Sequence, residues 1–257
     1  MQVRAVRRTG SGVAMPEADL HFVGDPHGQL GRLMHAAKRH RPRAMILLGD
    51  VEPRTSLLDF IAGMRALGVM LGFIHGNHDT DSAATWQRML EAGAYNLHGR
   101  VVDIGGVRVA GLGGVFRRSV WDPRQADAPR YASLATLRHH LTQAGRARLG
   151  TGAHQLLRHA STIFPDDVAR LTTQRADVLV THEAPAQHRF GYQAINTLAC
   201  AMQVARVFHG HHHEAIDYTS DAEATGFRAW GVAAGAIVDL NGNEVLAPSA
   251  ARNDGEH

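Results

Sequence analysis

Leu20-His21-Phe22-Val23-Gly24-Asp25-Pro26-His27-Gly28 begins with four residues of buried-strand type and closes on glycine, a carboxylate and an imidazole. The same form returns four times. Ala44-Met45-Ile46-Leu47-Leu48-Gly49 runs into Asp50, and Gly72-Phe73-Ile74-His75-Gly76 runs into Asn77-His78-Asp79. Asp177-Val178-Leu179-Val180-Thr181 runs into His182, and Val204-Ala205-Arg206-Val207-Phe208-His209-Gly210 into His211-His212-His213. In α/β sheets, ligands bind in the crevice outside the carboxyl ends of the strands. Five such ends converging would build a polar site rich in carboxylate and imidazole. Amphipathic stretches near Leu30–His40, Ser56–Leu67 and Ser82–Ala92 separate the first three apolar runs and follow the third. That alternation predicts an α/β layered fold with paired strands and crossover helices.

Beyond Ala92 the pattern changes. Arg100–Ile104 and Val107–Leu112, joined by Gly105-Gly106, read as a hairpin with a two-residue turn. Residues from about 116 to 175 read as helical, apart from a proline-bearing loop at Trp121–Pro129, and are expected to form a cap over the sheet. Phe227–Val232, Gly235–Leu240 and Glu244–Leu246 read as further short strands, with Asn241-Gly242 as a turn and a frayed tail from Ser249. The chain of 257 residues is thus expected to be a single domain, 1–257, carrying an arginine-rich helical insert at about 116–175.

Apolar residues at 44% and charged residues at 20% are ordinary for a soluble globular chain. No stretch of 18 apolar residues is present, and the basic start Met1–Arg8 lacks the apolar core of a secretory signal, so no membrane association is expected. Cys200 alone allows no internal disulfide, which agrees with a cytoplasmic protein. Twenty-six arginines accompany the single Lys38. Codon bias from a G+C-rich genome explains that ratio; guanidinium forks suited to phosphate are the sharper reading. A net charge of +3 permits an anionic substrate without requiring nucleic acid.

The residue types at the strand ends suit divalent metals. Imidazole and carboxylate bind Mn, Zn or Fe, and no thiolate is on offer. At Asp25-x-His27 and His211-x-His213 the i,i+2 spacing turns both side chains to one side of an extended segment, with His212 facing away. Taken singly, the pieces are weak. Asp-x-His-Gly is a common loop, Gly-Asp is more often a turn or helix cap, and a lone His182 is more often a core histidine. Five of them in order, each at a strand end, point to metal.

In that order Gly24-Asp25-Pro26-His27-Gly28, Gly49-Asp50, Gly76-Asn77-His78-Asp79, Thr181-His182 and Gly210-His211-His212-His213 resemble the five-motif signature of the calcineurin-like metallophosphoesterases. The resemblance implies a two-layered β-sandwich flanked by helices, the metallo-dependent phosphatase-like fold, with two divalent metal ions (Mn, Zn, Fe or a mixture) at the strand ends. It further implies Asp25, His27 and His213 on one metal, Asn77, His182 and His211 on the second, and Asp50 bridging. The implied reaction is in-line attack on phosphorus by a water or hydroxide held at the metal pair. His78 matches the residue that contacts phosphate and protonates the leaving oxygen, and Asp79 either orients His78 or caps the helix near Ser82. With Gln29, Gly24–Gln29 resembles the opening of the Ser/Thr protein phosphatases and the dinucleoside-polyphosphate hydrolases, and Arg54 falls at their phosphate-gripping arginine. Pro53, however, replaces the acid that orients their histidine, and His75 replaces an arginine. The match is closer to uncharacterised bacterial members.

Between Phe116 and Arg158 stand Arg117, Arg118, Arg124, Arg130, Arg138, Arg146, Arg148 and Arg158, against Asp122 and Asp127. This is either a solvated basic face or a cap that lends Arg117 or Arg118 to a second phosphate. The expected function is therefore hydrolysis of a small, nucleotide-like phosphate ester by a phosphodiesterase or phosphatase. A nuclease using the same centre is the alternative, although no RNA-binding signature is present. A non-catalytic scaffold is disfavoured, because all seven ligands and His78 are retained. Nothing in the sequence fixes an oligomeric state.

Overall fold

The computed structural model describes residues 19–125, 128–143 and 150–249. Arg146, Arg148, Asp127, the basic start and the tail beyond Ser249 lie outside them. The first three apolar runs become strands β1 (Leu20–Val23), β2 (Ala44–Leu48) and β3 (Met70–Ile74), paired in parallel. They are joined by helices α1 (Leu30–His40) and α2 (Leu57–Ala66), and α3 (Ala83–Glu91) follows β3. The serines place two helix starts: Ser56 Oγ accepts the Asp59 amide at 3.2 Å and Ser82 Oγ the Thr85 amide at 3.0 Å.

The hairpin forms as β4 (Arg100–Ile104) and β5 (Val107–Leu112). Helices α4 (Leu134–Gln143), α5 (Gly150–His159) and α6 (Pro165–Thr172) precede β6 (Val178–Thr181), α7 (Gln193–Met202) and β7 (Arg206–His209). The chain then adds β8 (Ile216–Asp217), the short α8 (Ala222–Thr225), β9 (Arg228–Gly231), β10 (Ile237–Val238) and β11 (Glu244–Leu246). One sheet runs β11-β10-β1-β2-β3 and the other β4-β5-β6-β7-β9-β8, with β5, β6, β7 and β9 parallel.

The sheets pack face to face. Leu20, Phe22, Ala44, Ile46 and Leu48 of one meet Val109, Val178, Val180, Phe208 and Trp230 of the other. Phe22 stacks on Phe208 with ring centroids 3.8 Å apart. The alternate residues Val23, Met45, Leu47 and Phe73 turn outward beneath the helices on that side, and Leu179 and Val207 pack with α6 and α7 on the other. The central strands are thus buried on both faces, which is why they read as continuous apolar runs rather than as alternating ones. Burying a phenylalanine such as Phe22 or Phe208 contributes about 1.5–3 kcal/mol. The fold is α/β, a two-layered sandwich flanked by helices.

The segment from 116 to 175 divides. Around Val120, Leu137, Leu141 and Phe164 a separate small core forms, with Leu156 of α5 packed against it. Leu171 of α6 instead joins the core under the second sheet. Thus α6 belongs to the helical layer of the sandwich, whereas α4 and α5 pack around the separate small core. No helix among the described residues is long and apolar enough to cross a membrane.

Candidate metal centre and active site

The strand ends of the first sheet deliver Asp25 and His27, Asp50, and Asn77; those of the second deliver His182, His211 and His213. His27, Asp50 and His213 bring ligand atoms within 4.8 Å of one another, and so do Asp50, His182 and His211. Asp50 belongs to both groups. Asp25 reaches towards each: Oδ2 lies 3.8 Å from His213 Nε2, and Oδ1 lies 3.6 Å from His182 Nδ1. Asn77 Oδ1 lies 3.1 Å from His182 Nε2.

The local backbone differs from the extended segments that the i,i+2 spacing suggests. Asp25 (φ 26°), His27 (43°), Asp50 (45°), His211 (72°) and His213 (57°) all lie at positive φ. Such backbone costs of order 1–3 kcal/mol per residue and persists only where the surroundings over-determine it. Here the polar groups of neighbouring ends do so. The His27 amide donates to Asp50 O at 2.9 Å, the His78 amide to Asp50 Oδ1 at 2.8 Å, and the His211 amide to Asp25 Oδ2 at 2.7 Å. Close approach of the ends also demands glycine at two points. A Cβ at Gly76 would overlap Asp50 Oδ1, and one at Gly210 would overlap Asp25 Oδ1.

The donor set fits cations better than it fits itself. His182 Nδ1 donates to Leu48 O at 2.8 Å, which turns Nε2 toward two oxygen acceptors, Asn77 Oδ1 and Asp50 Oδ2 (3.4 Å). His27 Nδ1 donates to Glu52 Oε1 at 2.6 Å, which leaves its Nε2 facing His213 Nε2 at 2.9 Å. Carboxylate and carbonyl partners of this kind fix the tautomer of a metal-binding histidine. Asp25 Oδ1 is buried without a hydrogen-bond partner among the described residues. Charge tells the same story. Burial pushes the Asp25 carboxyl up to about 7. Burial of the His182 ring opposes its charge, but the carboxylates of Asp50 and Asp25 outweigh that and raise it to about 10. Buried carboxylates set against imidazoles in this way make a cradle suited to cations.

His78 is exposed at the rim, its ring 5.9 Å from that of His27. Burial works against its charge, but Asp50 and Asp81 raise its pKa above the ordinary value. Its Nδ1 donates to Asp81 Oδ2 at 2.7 Å. Neither expectation for Asp79 is met, since Asp81 holds the His78 ring and Ser82 caps α3. Asp79 is fully buried, and its carboxylate accepts the Glu52 amide at 2.8 Å and the Gly76 amide at 2.9 Å. It ties the loops after β2 and β3 together, the loops that carry Asp50 and Asn77.

The arginines separate. Arg54 is exposed, and its side chain lies over Gly28, next to His27. Arg117 lines a chamber of about 380 Å³ that opens on Asn77 and His211; Arg118 is exposed and outside that lining. Arg124 lines it too, a residue the sequence offered only as one of eight. His212 lines the chamber, stacks on His188 at 4.0 Å, and with Glu183 and His211 forms a third group whose ligand atoms lie within 4.8 Å of one another, so it does not simply face away. His209 is a core residue: burial pushes its ring down to about 3. Glu52, Asp81 and Arg124 carried no signal of their own in the sequence.

A geometry of this kind can hold divalent cations and a phosphate ester. The family model of the calcineurin-like phosphoesterases matches residues 19–215, so the chain belongs to that family and is a metal-dependent phosphoric ester hydrolase. An uncharacterized protein of Haemophilus influenzae is 39% identical over 228 residues, covering 88% of this chain and 95% of the relative. A crystal structure of a Thermus thermophilus protein shares the fold at a TM-score of 0.53 with 16% identity, covering 89% of this chain and 99% of its own.

Proposed function

We propose that the protein hydrolyses small, nucleotide-like phosphate esters, as a phosphodiesterase or phosphatase, with two divalent cations of Mn, Zn or Fe. The observation that carries this reading is the membership of Asp50 in both ligand groups, one built with His27 and His213 and one with His182 and His211. Asp25 would complete the first set and Asn77 the second. When bound, such a pair would lower the pKa of a coordinated water and neutralise charge on phosphate oxygens.

The chain's own residues do the rest. With Nδ1 committed to Asp81, His78 holds a proton at Nε2 for the leaving oxygen. Asp79 acts by fixing the spacing of the loops that carry Asp50 and Asn77. Arg54 and Arg117 border the centre and, with the exposed Arg118, are assigned to substrate phosphate. We read the insert bearing α4 and α5 as a cap on one domain, and the lone Cys200 as suited to a reducing cytoplasm.

The test is metal analysis followed by a substrate screen. Protein supplied with Mn and Zn is expected to hold two divalent ions per chain and to hydrolyse nitrophenyl esters. Asp50→Asn should lose more activity than Asn77→Ala or His213→Ala, because it removes the charge shared by both cations. Zero metal after reconstitution, or wild-type turnover by Asp50→Asn, overturns the reading. A nuclease would instead bind DNA or RNA with a steep dependence on salt.

A further inference from the structure

The chamber beside Asn77 and His211 holds two guanidinium groups in different states. Arg117 is half-buried and no carboxylate among the described residues lies within ion-pair distance of it. One nitrogen, Nη2, donates to Ser161 Oγ at 3.2 Å, while Nε is buried with no partner. Ser161 in turn meets Thr80 Oγ1 at 2.7 Å, and Thr80 Oγ1 donates to Asn77 O at 3.1 Å. A short relay of hydroxyls thus fixes Arg117 relative to the loop that carries Asn77. Arg124 lies over the Tyr192 ring at 4.2 Å, donates to Tyr192 Oη at 2.8 Å, and pairs with Asp122 at 3.3 Å. Both are held in place before any ligand arrives.

A guanidinium that is partly desolvated and has no carboxylate within ion-pair distance, only Asp81 and Glu183 farther off, can receive an anion. The other wall of the chamber is aromatic. Phe190 is 53% exposed, unusual for so large an apolar side chain, and it lines the space with Tyr192. The one carboxylate of the lining, Glu183, is engaged by the Phe116 amide at 2.9 Å. A volume of about 380 Å³ falls in the range of pockets that bury a small-molecule ligand.

We propose that this chamber takes the non-reacting part of the substrate, and that the substrate is a nucleoside phosphate ester bearing a second phosphate. The base lies against Phe190, and the second phosphate is gripped by Arg117 and Arg124. This rests on the phosphoesterase reading of the adjacent centre and adds to it a substrate class. Arg117 and Arg124 become specificity-determining residues. Their contribution is to binding a remote group, so it appears chiefly in KM.

The test compares thymidine 5′-(p-nitrophenyl phosphate) with the same ester carrying a 3′-phosphate, using the metal-loaded full chain. The 3′-phosphorylated ester is expected to have a kcat/KM at least about tenfold higher, the size given by a charge-assisted hydrogen bond. In Arg117→Gln and in Arg124→Gln that ratio should fall toward one. A wild-type ratio near one, with both esters hydrolysed, overturns this inference and leaves the phosphoesterase reading standing. A high ratio that survives both substitutions overturns the assignment to these arginines. No hydrolysis of either ester at full metal occupancy, with p-nitrophenyl phosphate still hydrolysed, overturns this inference alone; loss of all three reactions overturns the proposed function as well. The wild-type ratio decides the matter even if a variant fails to fold.

Discussion

His78, Thr80 and Asp81 show why the candidate ligands stand out in the sequence while the residues that hold them do not. Asp25, His27, Asp50, Asn77, His182, His211 and His213 announce themselves because each follows an apolar run that ends in a turn. Asp79 was expected either to orient His78 or to cap the helix near Ser82. The two residues open a 3₁₀ turn, however, spanning His78–Thr80. With three residues per turn, position i+3 comes back over position i while i+1 points elsewhere. Asp81 therefore takes the ring and Asp79 goes inward. If His78 donates a proton to the leaving oxygen, His78→Ala should lower turnover by about 10²–10⁴-fold. Asp81→Asn should lower it less, with metal content unchanged in both. A series of aryl esters checks this: the losses should shrink for nitrophenolate, which leaves without protonation, and equal losses across the series would refute a proton-donor role.

Among the elements, α6 is the one whose place the sequence misjudged. An apolar stripe states that a helix packs, but not against what. Pro165 and the two acids behind it mark the helix start correctly. What fixes its position is Asp167, which accepts the Phe164 amide at 3.0 Å, meets His98 Nε2 at 3.3 Å and takes Arg170 Nη2 at 2.7 Å. Burial alone would raise the Asp167 carboxyl, but His98, the Phe164 amide and Arg170 outweigh it and hold it below the usual carboxylate range. A carboxyl depressed on folding contributes stability above its unfolded pKa of about 3.9, and that stability is lost as pH falls through the folded value. Asp167→Asn should therefore cost about 1–3 kcal/mol at pH 7. Urea unfolding at a series of pH values checks the sign: the gap between wild type and variant should close below pH of about 4, and a constant gap would contradict it.

For the whole molecule, the two ligand groups that share Asp50 straddle the sandwich. His27 and Asp50 come from the first sheet and His213 from the second; Asp50 comes from the first and His182 and His211 from the second. Cations bound there hold the folded sandwich and not the unfolded chain, so they stabilise by mass action, about 2.7 kcal/mol at a hundredfold excess over Kd. For a chain of this size that corresponds to a Tm higher by roughly 5–10 °C. Scanning calorimetry with and without chelator is expected to show this drop, reversed by added Mn or Zn. A chelator-insensitive Tm at demonstrated metal loss would show that the sheets need no cation to stay closed. The layered architecture itself was legible, since strands buried on both faces leave long apolar runs in the sequence. The chamber beside the centre was not, because Phe190, Tyr192, Arg117 and Arg124 meet only once the chain is folded.

The ligands are spread from residue 25 to residue 213, and neither group is complete until the strand end at 211–213 is in place. During synthesis the amino-terminal strands emerge first and can pair early. Asp25, His27, Asp50 and Asn77 would then be laid out on an open sheet, half a cradle facing water. Order of appearance thus postpones the chemistry. The two halves of the cradle can meet only once the chain has been made through residue 213.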